Sequence, residues 1–341
     1  MLTDKQKHII CLLADGEFHS GTELAQALAV SRSAIWKQLA SLNVLGLAYT
    51  AVSGKGYRLE TPLELLSAEA IQQVLTNEAK ALLGGLQIFE QIDSTNRYLS
   101  EQAQHQAASG LFCLAEQQTA GKGRRGRQWV SPFGCNIYLS LLWRFQHGYA
   151  GAAGLSLAVG VAVIDALREL GIDGLGLKWP NDIYYQGKKL GGILIEMSGE
   201  ADGPCHAVIG LGLNLYLPDS QAEGINQAWT DLSKVLGQRF SKRNLLVGYL
   251  IKHLLMLMAD FENVGLPKYL PQWRHYDCLL GQAAQVFVGE QVFIGVVQGV
   301  DANGLLLFQH TDGKIQAFAS GEVSFHGHAS GNYCWIWAIA A

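Results

Sequence analysis

Two serines placed to start helices, Ser20 and Ser31, constrain the fold of residues 1–62. Ser20 opens the run Ser-Gly-Thr-Glu, in which the serine and Glu23 can satisfy each other's free backbone N–H groups. Ser31 precedes a second helical run, whose buried stripe consists of Ile35, Leu39 and Leu42. Together with a helix over about residues 3–14, two short helices joined by a tight turn are typical of a helix-turn-helix.

A predicted β-hairpin directly follows the second of these helices. The run "LAYTAVSGKGYRLE" reads as a strand, a glycine-containing turn with Lys55 at its tip, and a second strand. A hairpin in this position is the wing of a winged helix, whose cations and hydroxyls can contact DNA. The candidate DNA-binding residues are Thr22, Ser31, Arg32, Ser33, Trp36, Lys37 and Lys55. The alternative is a three-helix packing module that binds no DNA. Trp36 itself either contacts DNA or packs against the wing.

Charge limits how much of the chain can serve a nucleic acid. The 341 residues carry a formal net charge of −4, whereas a chain devoted to coating nucleic acid is strongly basic. Any DNA contact must therefore be local. The length predicts two or three domains, and Pro62 marks a linker after the first of them.

The cysteines and the apolar stretches indicate the compartment. Six cysteines lie far apart without a Cys-x-x-Cys pair, which favours reduced thiols over a disulfide or zinc framework. The chain opens on an amphipathic pattern rather than a signal peptide. The most apolar stretches, residues 154–166 and 334–341, are too short to cross a bilayer. We therefore expect a cytoplasmic protein.

From about residue 80 to residue 270, predicted strands alternate with predicted helices. The strand-like runs are "LQIFE", "LFCLAEQQ", "NIYLSLLW", "LGLKW", "DIYYQ", "KLGGILIEMS" and "HAVIGLGLNL". Helical patterns cover residues 154–171 and 243–263, and "YYQGKKL" predicts a hairpin. This mixture indicates an α+β domain with a mixed sheet rather than a doubly wound parallel sheet.

The run "GKGRRGR", residues 121–127, interleaves four cations with three glycines. It matches G-x-G-x-x-G, but "RQWVSPFG" follows instead of a helix and residues 141–150 contain no acid, so the dinucleotide fingerprint fails. No P-loop motif occurs either. Glycine backbone and alternating cations can still wrap an anion. The alternative is a solvated basic loop, and Trp129 is either a stacking surface for a base or a core residue.

A second cluster, "KWPND", ends at Asp182 and is followed by Lys189 in "KKLGGIL". A turn at Pro180 and Asn181 places Asp182 at the start of a strand, and the hairpin returns Lys189 towards that turn. A carboxylate and an ammonium in one place suit metal and phosphate handling. The alternative is a turn aspartate and a strand-edge lysine that prevents aggregation.

Behind the predicted winged helix, the chain contains in this order the runs "DSTN", "QQTAGKGRRGRQW", "KWPND", "KKLGGIL" and "GLGLN". Together they resemble the biotin protein ligases, in the bifunctional bacterial form that also represses the biotin operon. The resemblance covers roughly residues 1–327; lipoate ligases share the general fold but lack this loop and the DNA-binding head. It implies an α+β protein with a winged helix-turn-helix over residues 1–62. The next domain is a mixed-sheet ligase domain of the class II synthetase-like type over residues 63–272. A small SH3-like β-barrel follows over residues 273–327. Residues 328–341 are a tail of unknown role.

The resemblance also implies the reaction, the cofactors and the partners. Biotin and ATP, with Mg²⁺, give biotinyl-5′-AMP, and a lysine of the biotin carboxyl carrier protein of acetyl-CoA carboxylase then takes the biotinyl group. Biotinyl-AMP is the corepressor and promotes a homodimer, through the central sheet, that binds operator DNA. Two alternatives remain: a biotin-sensing transcription factor with an inactive catalytic site, and a ligase for another acyl cofactor such as lipoate.

The resemblance assigns roles to residues of the matching motifs. The implied biotin-binding residues are Ser94, Thr95, Asn96, Gln118, Gly121, Lys122, Gly123, Arg124, Lys189 and Gly192. The implied ATP-binding residues are Arg124, Arg125, Arg127, Trp129, Lys178, Asn181, Asp182 and Asn214. Catalysis is assigned to Lys189, Arg124 and Asp182, and Mg²⁺ to Asp182. The family usually has arginine where Lys122 stands, and the tail "NYCWIWAIAA", residues 332–341, matches nothing in the family pattern.

Overall fold

The computed structural model describes residues 2–200 and 202–325, and its N-terminal unit has three helices and a two-stranded sheet. These are α1 (Asp4–Leu13), α2 (Gly21–Ala27), α3 (Arg32–Leu42), β1 (Tyr49–Val52) and β2 (Gly56–Leu59). Ser20 and Glu23 form the predicted capping box, and Ser31 Oγ accepts a hydrogen bond from the Ala34 N–H at 3.3 Å. Lys55 lies in the turn between the two strands. The predicted winged-helix arrangement is confirmed.

The core of this unit extends into the central part of the chain. The predicted stripe of α3 is buried, together with Ile9 and Leu13 of α1. Phe133, which lies more than seventy residues beyond the wing, belongs to the same buried cluster. Lys7 also pairs with Glu90 at 2.7 Å. The N-terminal unit therefore packs against the rest of the protein instead of hanging from Pro62.

A seven-stranded mixed sheet forms the centre of the protein. Its strands are β3 (Gly85–Ile92), β4 (Leu111–Gln118), β5 (Ile137–Phe145), β6 (Gly176–Lys178), β7 (Asp182–Tyr185), β8 (Lys188–Gly199) and β9 (Cys205–Leu213). Their spatial order is β3-β4-β5-β9-β8-β7-β6, with β3 parallel to β4 and every other pair antiparallel. Each predicted strand is present, and the mixed sheet is confirmed.

Helices cover both faces of this sheet because its strands are apolar on both sides. They are α4 (Ala68–Val74), α5 (Asn77–Leu82), α6 (Thr95–Gln104), α7 (Leu155–Arg168), α8 (Leu232–Leu236), α9 (Arg243–Val264) and α10 (Leu270–Tyr276). Phe112 and Leu114 of β4 join the cluster of α7 and α9, whereas Cys113 between them joins Leu99 of α6 on the opposite face. The alternation along β4 thus distributes the helices between the two faces.

The two longest apolar helices belong to this core. The segments Tyr149–Arg168 and Arg243–Val264 have the length and the composition of a membrane span, so they exceed the short apolar stretches seen in the sequence. Most residues of their apolar windows are nevertheless buried inside the protein. Burial against the sheet explains their hydrophobicity.

A five-stranded antiparallel sheet follows α10. Its strands are β10 (Ala283–Val288), β11 (Gln291–Val300), β12 (Leu306–His310), β13 (Ile315–Phe318) and β14 (Glu322–Phe325), in the order β13-β12-β11-β10-β14. The small β domain that the resemblance implies is present as this antiparallel sheet, while closure into an SH3-like barrel stays a prediction, as do the domain boundaries. The predicted tail over residues 328–341 lies outside the described residues.

Candidate active site

Two neighbouring cavities open above the carboxyl-terminal part of β4 and the hairpin of β7 and β8. The first has a volume of about 130 Å³ and the second about 620 Å³. Trp129, Lys178, Lys189 and Glu322 line both cavities, so one wall is shared. Nearly every residue predicted for the ligand site lines the first cavity, with Gly121 just behind it and Asn214 in the second.

The floor of the first cavity is a polar network at the start of α6. Ser94 caps this helix by accepting a hydrogen bond from the Arg97 N–H. The Thr95 hydroxyl and backbone N–H both donate to Gln118 Oε1, at 3.1 and 2.9 Å. Ser140 Oγ of β5 lies 2.7 Å from Thr95 Oγ1. The predicted "DSTN" and "QQ" motifs therefore meet through direct hydrogen bonds, and Ser140, which no motif contains, joins them.

Glycines on β8 and β9 leave room for the site. A Cβ atom on Gly212 would stand 2.4 Å from the indole of Trp129, and one on Gly210 would stand 2.2 Å from Asn96 Oδ1. Any side chain at either position would displace its neighbour. Trp129 lies over this glycine surface, and its Nε1 is buried without a hydrogen-bond partner among the described residues. The glycines of "GLGLN" thus let Trp129 and Asn96 approach β9 closely.

The basic loop closes one side of the first cavity. Its ends are tied by a hydrogen bond of 2.7 Å from the Gly123 N–H to the Arg127 carbonyl oxygen. Arg124 Nη1 donates to Asn181 Oδ1 at 3.0 Å, and burial and the neighbouring Arg125 lower the pKa of Arg124. Arg127 Nη2 donates to Glu322 Oε2 of β14 at 2.6 Å. The loop is thus held by the central sheet on one side and the C-terminal sheet on the other.

The predicted carboxylate and ammonium meet at the centre of the shared wall. Lys189 Nζ lies 2.8 Å from Asp182 Oδ1, and their side chains are 15% and 14% exposed. The same ammonium lies 5.5 Å from the centre of the Trp129 ring. Lys178 is nearly buried beside them, and this burial lowers its pKa. Two cations therefore face one carboxylate, which favours an anionic ligand.

The donor set suits a divalent cation that arrives with its ligand. No group of three or more His, Cys, Asp or Glu side chains able to hold a metal occurs among residues 2–200 and 202–325. Asp182 is the carboxylate nearest the two lysines. Because Mg²⁺ is usually held by one or two protein carboxylates together with substrate phosphates, this arrangement fits magnesium bound to a nucleotide.

The segment over residues 223–230, which precedes α8, forms a wall of the second cavity. The Lys189 N–H donates to the Ala228 carbonyl oxygen, and the Thr230 N–H donates to the Lys189 carbonyl oxygen, both at 2.9 Å. Asn214 Nδ2 donates to the Thr230 carbonyl oxygen at 3.1 Å. Both the N–H and the carbonyl group of Lys189 are therefore bonded to this segment, and Asn214 bonds to it as well.

The predicted DNA-binding residues lie apart from these cavities, on α2, α3 and the hairpin. All seven of them are exposed, including Trp36 at 67%, so Trp36 does not pack into the wing. Ser31 is occupied as a helix cap and contacts Ser33 Oγ at 2.9 Å. Arg58 of β2, which the sequence interpretation did not include, is exposed beside Lys55, and both cations lie over the ring of Phe18.

Two carboxylates near the site also escaped the sequence interpretation. Glu196 on β8 accepts a hydrogen bond from Asn96 Nδ2 at 2.8 Å and lies 3.7 Å from Lys122 Nζ. Glu322 belongs to another sheet and pairs with the basic loop. Neither residue lies in a recognisable motif. Glu196 reaches the site through the alternation of side chains along its strand, and Glu322 reaches it through packing between two sheets.

Comparison with known proteins gives three family matches. The Biotin/lipoate A/B protein ligase family matches residues 88–214, an HTH domain matches residues 5–58, and the Biotin protein ligase C terminal domain matches residues 279–326. The first match contains the ligand cavities' central motifs, and the second contains all candidate DNA-binding residues.

Whole proteins match over nearly the full chain. The proteins called "Bifunctional ligase/repressor BirA" from Salmonella typhimurium and Escherichia coli are each 40% identical over 93% of this chain, covering 96% and 95% of their own lengths. The Bacillus subtilis protein of that name is 31% identical over 90% of this chain and 94% of its own. A biotin protein ligase from Aquifex aeolicus, solved with biotin and ATP, superposes with a TM-score of 0.59 at 27% identity. It covers 71% of this chain and 98% of its own.

Proposed function

The chain belongs to the bifunctional ligase/repressor family of biotin protein ligases, and we infer from this that it performs both of that family's tasks. It activates biotin with ATP to biotinyl-5′-AMP and transfers the biotinyl group to a lysine of a carrier protein. It also acts as a biotinyl-AMP-dependent repressor. The observation that carries this conclusion is 40% identity over 93% of the chain, which includes both the helix-turn-helix head and the lysine–aspartate site.

For the activation step, Lys189 is the residue that contacts the reacting groups. Its ammonium, held by Asp182 and above Trp129, is available to the carboxylate of biotin and to the phosphoryl oxygen that gains charge as the mixed anhydride forms. Pyrophosphate leaves, so cations are needed on the far side of the phosphorus as well. The basic loop supplies these cations through Arg124, Arg125 and Arg127.

Mg²⁺ fits the nucleotide end of the site. When bound with ATP, the ion neutralises charge on the phosphates, and Asp182 is the residue that would hold it. Trp129 covers the adenine, and Asn181, Lys178 and Asn214 position the nucleotide. Since Lys178 is nearly buried, its charge acts in a site largely screened from water, where it is worth more than at the surface.

The bicyclic end of biotin belongs over the polar floor. Thr95, Asn96 and Gln118 offer hydrogen-bonding groups there, and Gly192 and Gly210 line the same cavity without side chains of their own. In the second step a lysine amine of the biotin carboxyl carrier protein attacks the acyl carbon of biotinyl-AMP. The acyl–oxygen bond breaks and AMP leaves. The basic loop shields the anhydride from water until the carrier arrives.

The repressor task belongs to the exposed face of the winged helix. Arg32, Lys37 and Lys55 supply phosphate contacts, and the hydroxyls and Trp36 lie between them. Because half-site symmetry in such operators mirrors the symmetry of the protein, a homodimer promoted by biotinyl-AMP is part of the proposal. The protein works in the cytoplasm, where the carrier protein and the operator are found.

Adenylate formation tests the enzymatic half of the proposal. The full chain is mixed with Mg-ATP and biotin, with lipoate in place of biotin as the matched control, and pyrophosphate release is followed. Release that requires biotin and is absent with lipoate is expected. Equal release with lipoate would favour the related acyl ligase, and no release with either acid would leave only a biotin-sensing regulator.

A further inference from the structure

One carboxylate lies outside the cavities yet contacts the polar floor of the first. Glu196 Oε2 on β8 accepts a hydrogen bond of 2.8 Å from Nδ2 of Asn96, whose side chain is buried. Glu196 itself does not line either cavity and is partly exposed. It can therefore influence a ligand only through Asn96 or through Lys122, which lies 3.7 Å from its other oxygen.

The contact with Glu196 fixes which way the Asn96 amide points. A carboxylate accepts hydrogen bonds and cannot donate one, so Asn96 must turn its NH₂ group towards it. The Leu194 carbonyl oxygen, 3.4 Å from the same NH₂ group, favours the same orientation more weakly. The Asn96 Oδ1 atom consequently points the other way, towards Ser140.

This orientation determines where the hydroxyl protons go. Ser140 Oγ lies 2.6 Å from Asn96 Oδ1 and 2.7 Å from Thr95 Oγ1 but has one proton. Because Asn96 Oδ1 cannot donate, that proton goes to it. The Thr95 proton is then used inside the network, either on Ser140 Oγ or on Gln118 Oε1 at 3.1 Å. Thr95 Oγ1 therefore presents only lone pairs, and no proton, to the cavity.

We propose that Glu196 is a positioning residue for biotin, which makes the floor of the first cavity a hydrogen-bond acceptor for the N–H groups of the ureido ring. The proposal rests on the proposed function, since it takes biotin as the ligand. Without the carboxylate, the Asn96 amide can turn over and donate to Ser140, and Ser140 then donates to Thr95. That reversal removes Ser140 as an acceptor for the Thr95 proton, so that only Gln118 Oε1, at 3.1 Å, still keeps this proton from pointing at the ligand, where it opposes the ureido N–H.

Biotin binding to the full chain, measured by calorimetry without ATP, tests this role. Glu196→Leu should weaken biotin binding about 10-fold, as for the loss of one hydrogen bond to a charged group, and should leave ATP binding within about 2-fold. The half-exposed ion pair of Glu196 with Lys122 contributes little to such a loss.

An exchange of groups between the two positions separates positioning from mere packing. Asn96→Asp alone sets two carboxylates against each other and should weaken biotin binding at least about 10-fold. Adding Glu196→Gln removes the repulsion and supplies an amide donor to the new carboxylate, whose other oxygen keeps accepting from Ser140. The double variant should therefore bind within about 3-fold of the parent, and its comparison with Asn96→Asp does not depend on whether Glu196→Leu folds.

Two results would overturn the assignment. One is biotin affinity within about 2-fold of the parent in Glu196→Leu, and the other is a double variant that binds no better than Asn96→Asp. A parent protein that binds no biotin at all would instead refute the proposed function, so the two failures are distinguishable.

Discussion

Replacing Lys189 by methionine tests whether its ammonium stabilises the negative charge that develops during adenylation. The methionine side chain fills similar space but lacks the ammonium, which in the parent lies 2.8 Å from Asp182 and is 15% exposed. Loss of one preorganised donor to a developing anion costs about 2.7–4 kcal/mol, which corresponds to about 10²–10³ in the rate of adenylation. We expect kcat to fall by this factor.

The same substitution leaves the Asp182 carboxylate unpaired beside the incoming phosphates. Two like charges about 4 Å apart repel by about 1 kcal/mol in water and about 4 kcal/mol at an effective dielectric constant of 20. The exposure of 14% for Asp182 puts the site between these limits, so KM for ATP should rise about 10-fold or more. The double variant Lys189→Met/Asp182→Asn should recover none of the loss in kcat, because asparagine supplies no cation at the phosphorus.

The assay is biotin-dependent exchange of pyrophosphate with ATP, which reports adenylation without the carrier protein. Lys188→Met is the matched control, because Lys188 precedes Lys189 on β8 and is exposed. It should leave kcat within about 2-fold, as surface substitutions usually do. A Lys189→Met rate within about 3-fold of the parent, or a double variant that regains kcat, would refute the charge-stabilising role.

Three further predictions concern stability and DNA binding. Arg243→Met should destabilise the protein by about 3–5 kcal/mol in urea unfolding, because it leaves the buried Glu116 carboxylate unpaired; a change below about 1 kcal/mol would contradict this. Burial raises the pKa of Asp277 from 3.8 to about 6, so the stability that its protonated carboxyl contributes is lost as pH rises through that interval. In Asp277→Asn, the fall in the free energy of unfolding over this interval should be smaller by roughly 2–3 kcal/mol. An unchanged pH slope would refute it. Lys37→Ala should weaken operator binding and reduce its salt dependence, and an unaltered salt slope would mean that Lys37 contacts no phosphate.

Features carried by local sequence could be predicted well. The capping box at Ser20 and the hairpin that returns Lys189 to Asp182 depend on residues close together in the chain. The resemblance also implies that Thr95 and Gln118 share one ligand site, and the structure joins them by a hydrogen bond. For the capping box and the hairpin, a cap or a turn fixes the geometry within about ten residues, so the local pattern contains the information.

Features that depend on distant packing could not be read from the sequence. The helices α4 and α5 are too short to show a clear period, and they begin at caps, Ser67 and Thr76, that resemble ordinary loop residues. Glu196 and Ser140 reach the polar floor from strands without a motif. Glu322 meets Arg127 only because two separate sheets pack together. Their roles become visible only when the strands are placed beside one another.

The mass of a carrier domain after incubation shows directly whether the protein transfers biotin. The full chain is incubated with biotin, Mg-ATP and the biotin carboxyl carrier domain, and a carrier with its acceptor lysine replaced by arginine is the control. The carrier should gain one biotinyl group on a single lysine, and the control should gain none. A carrier of unchanged mass, under conditions in which the protein binds biotin and ATP, would contradict the proposed transfer.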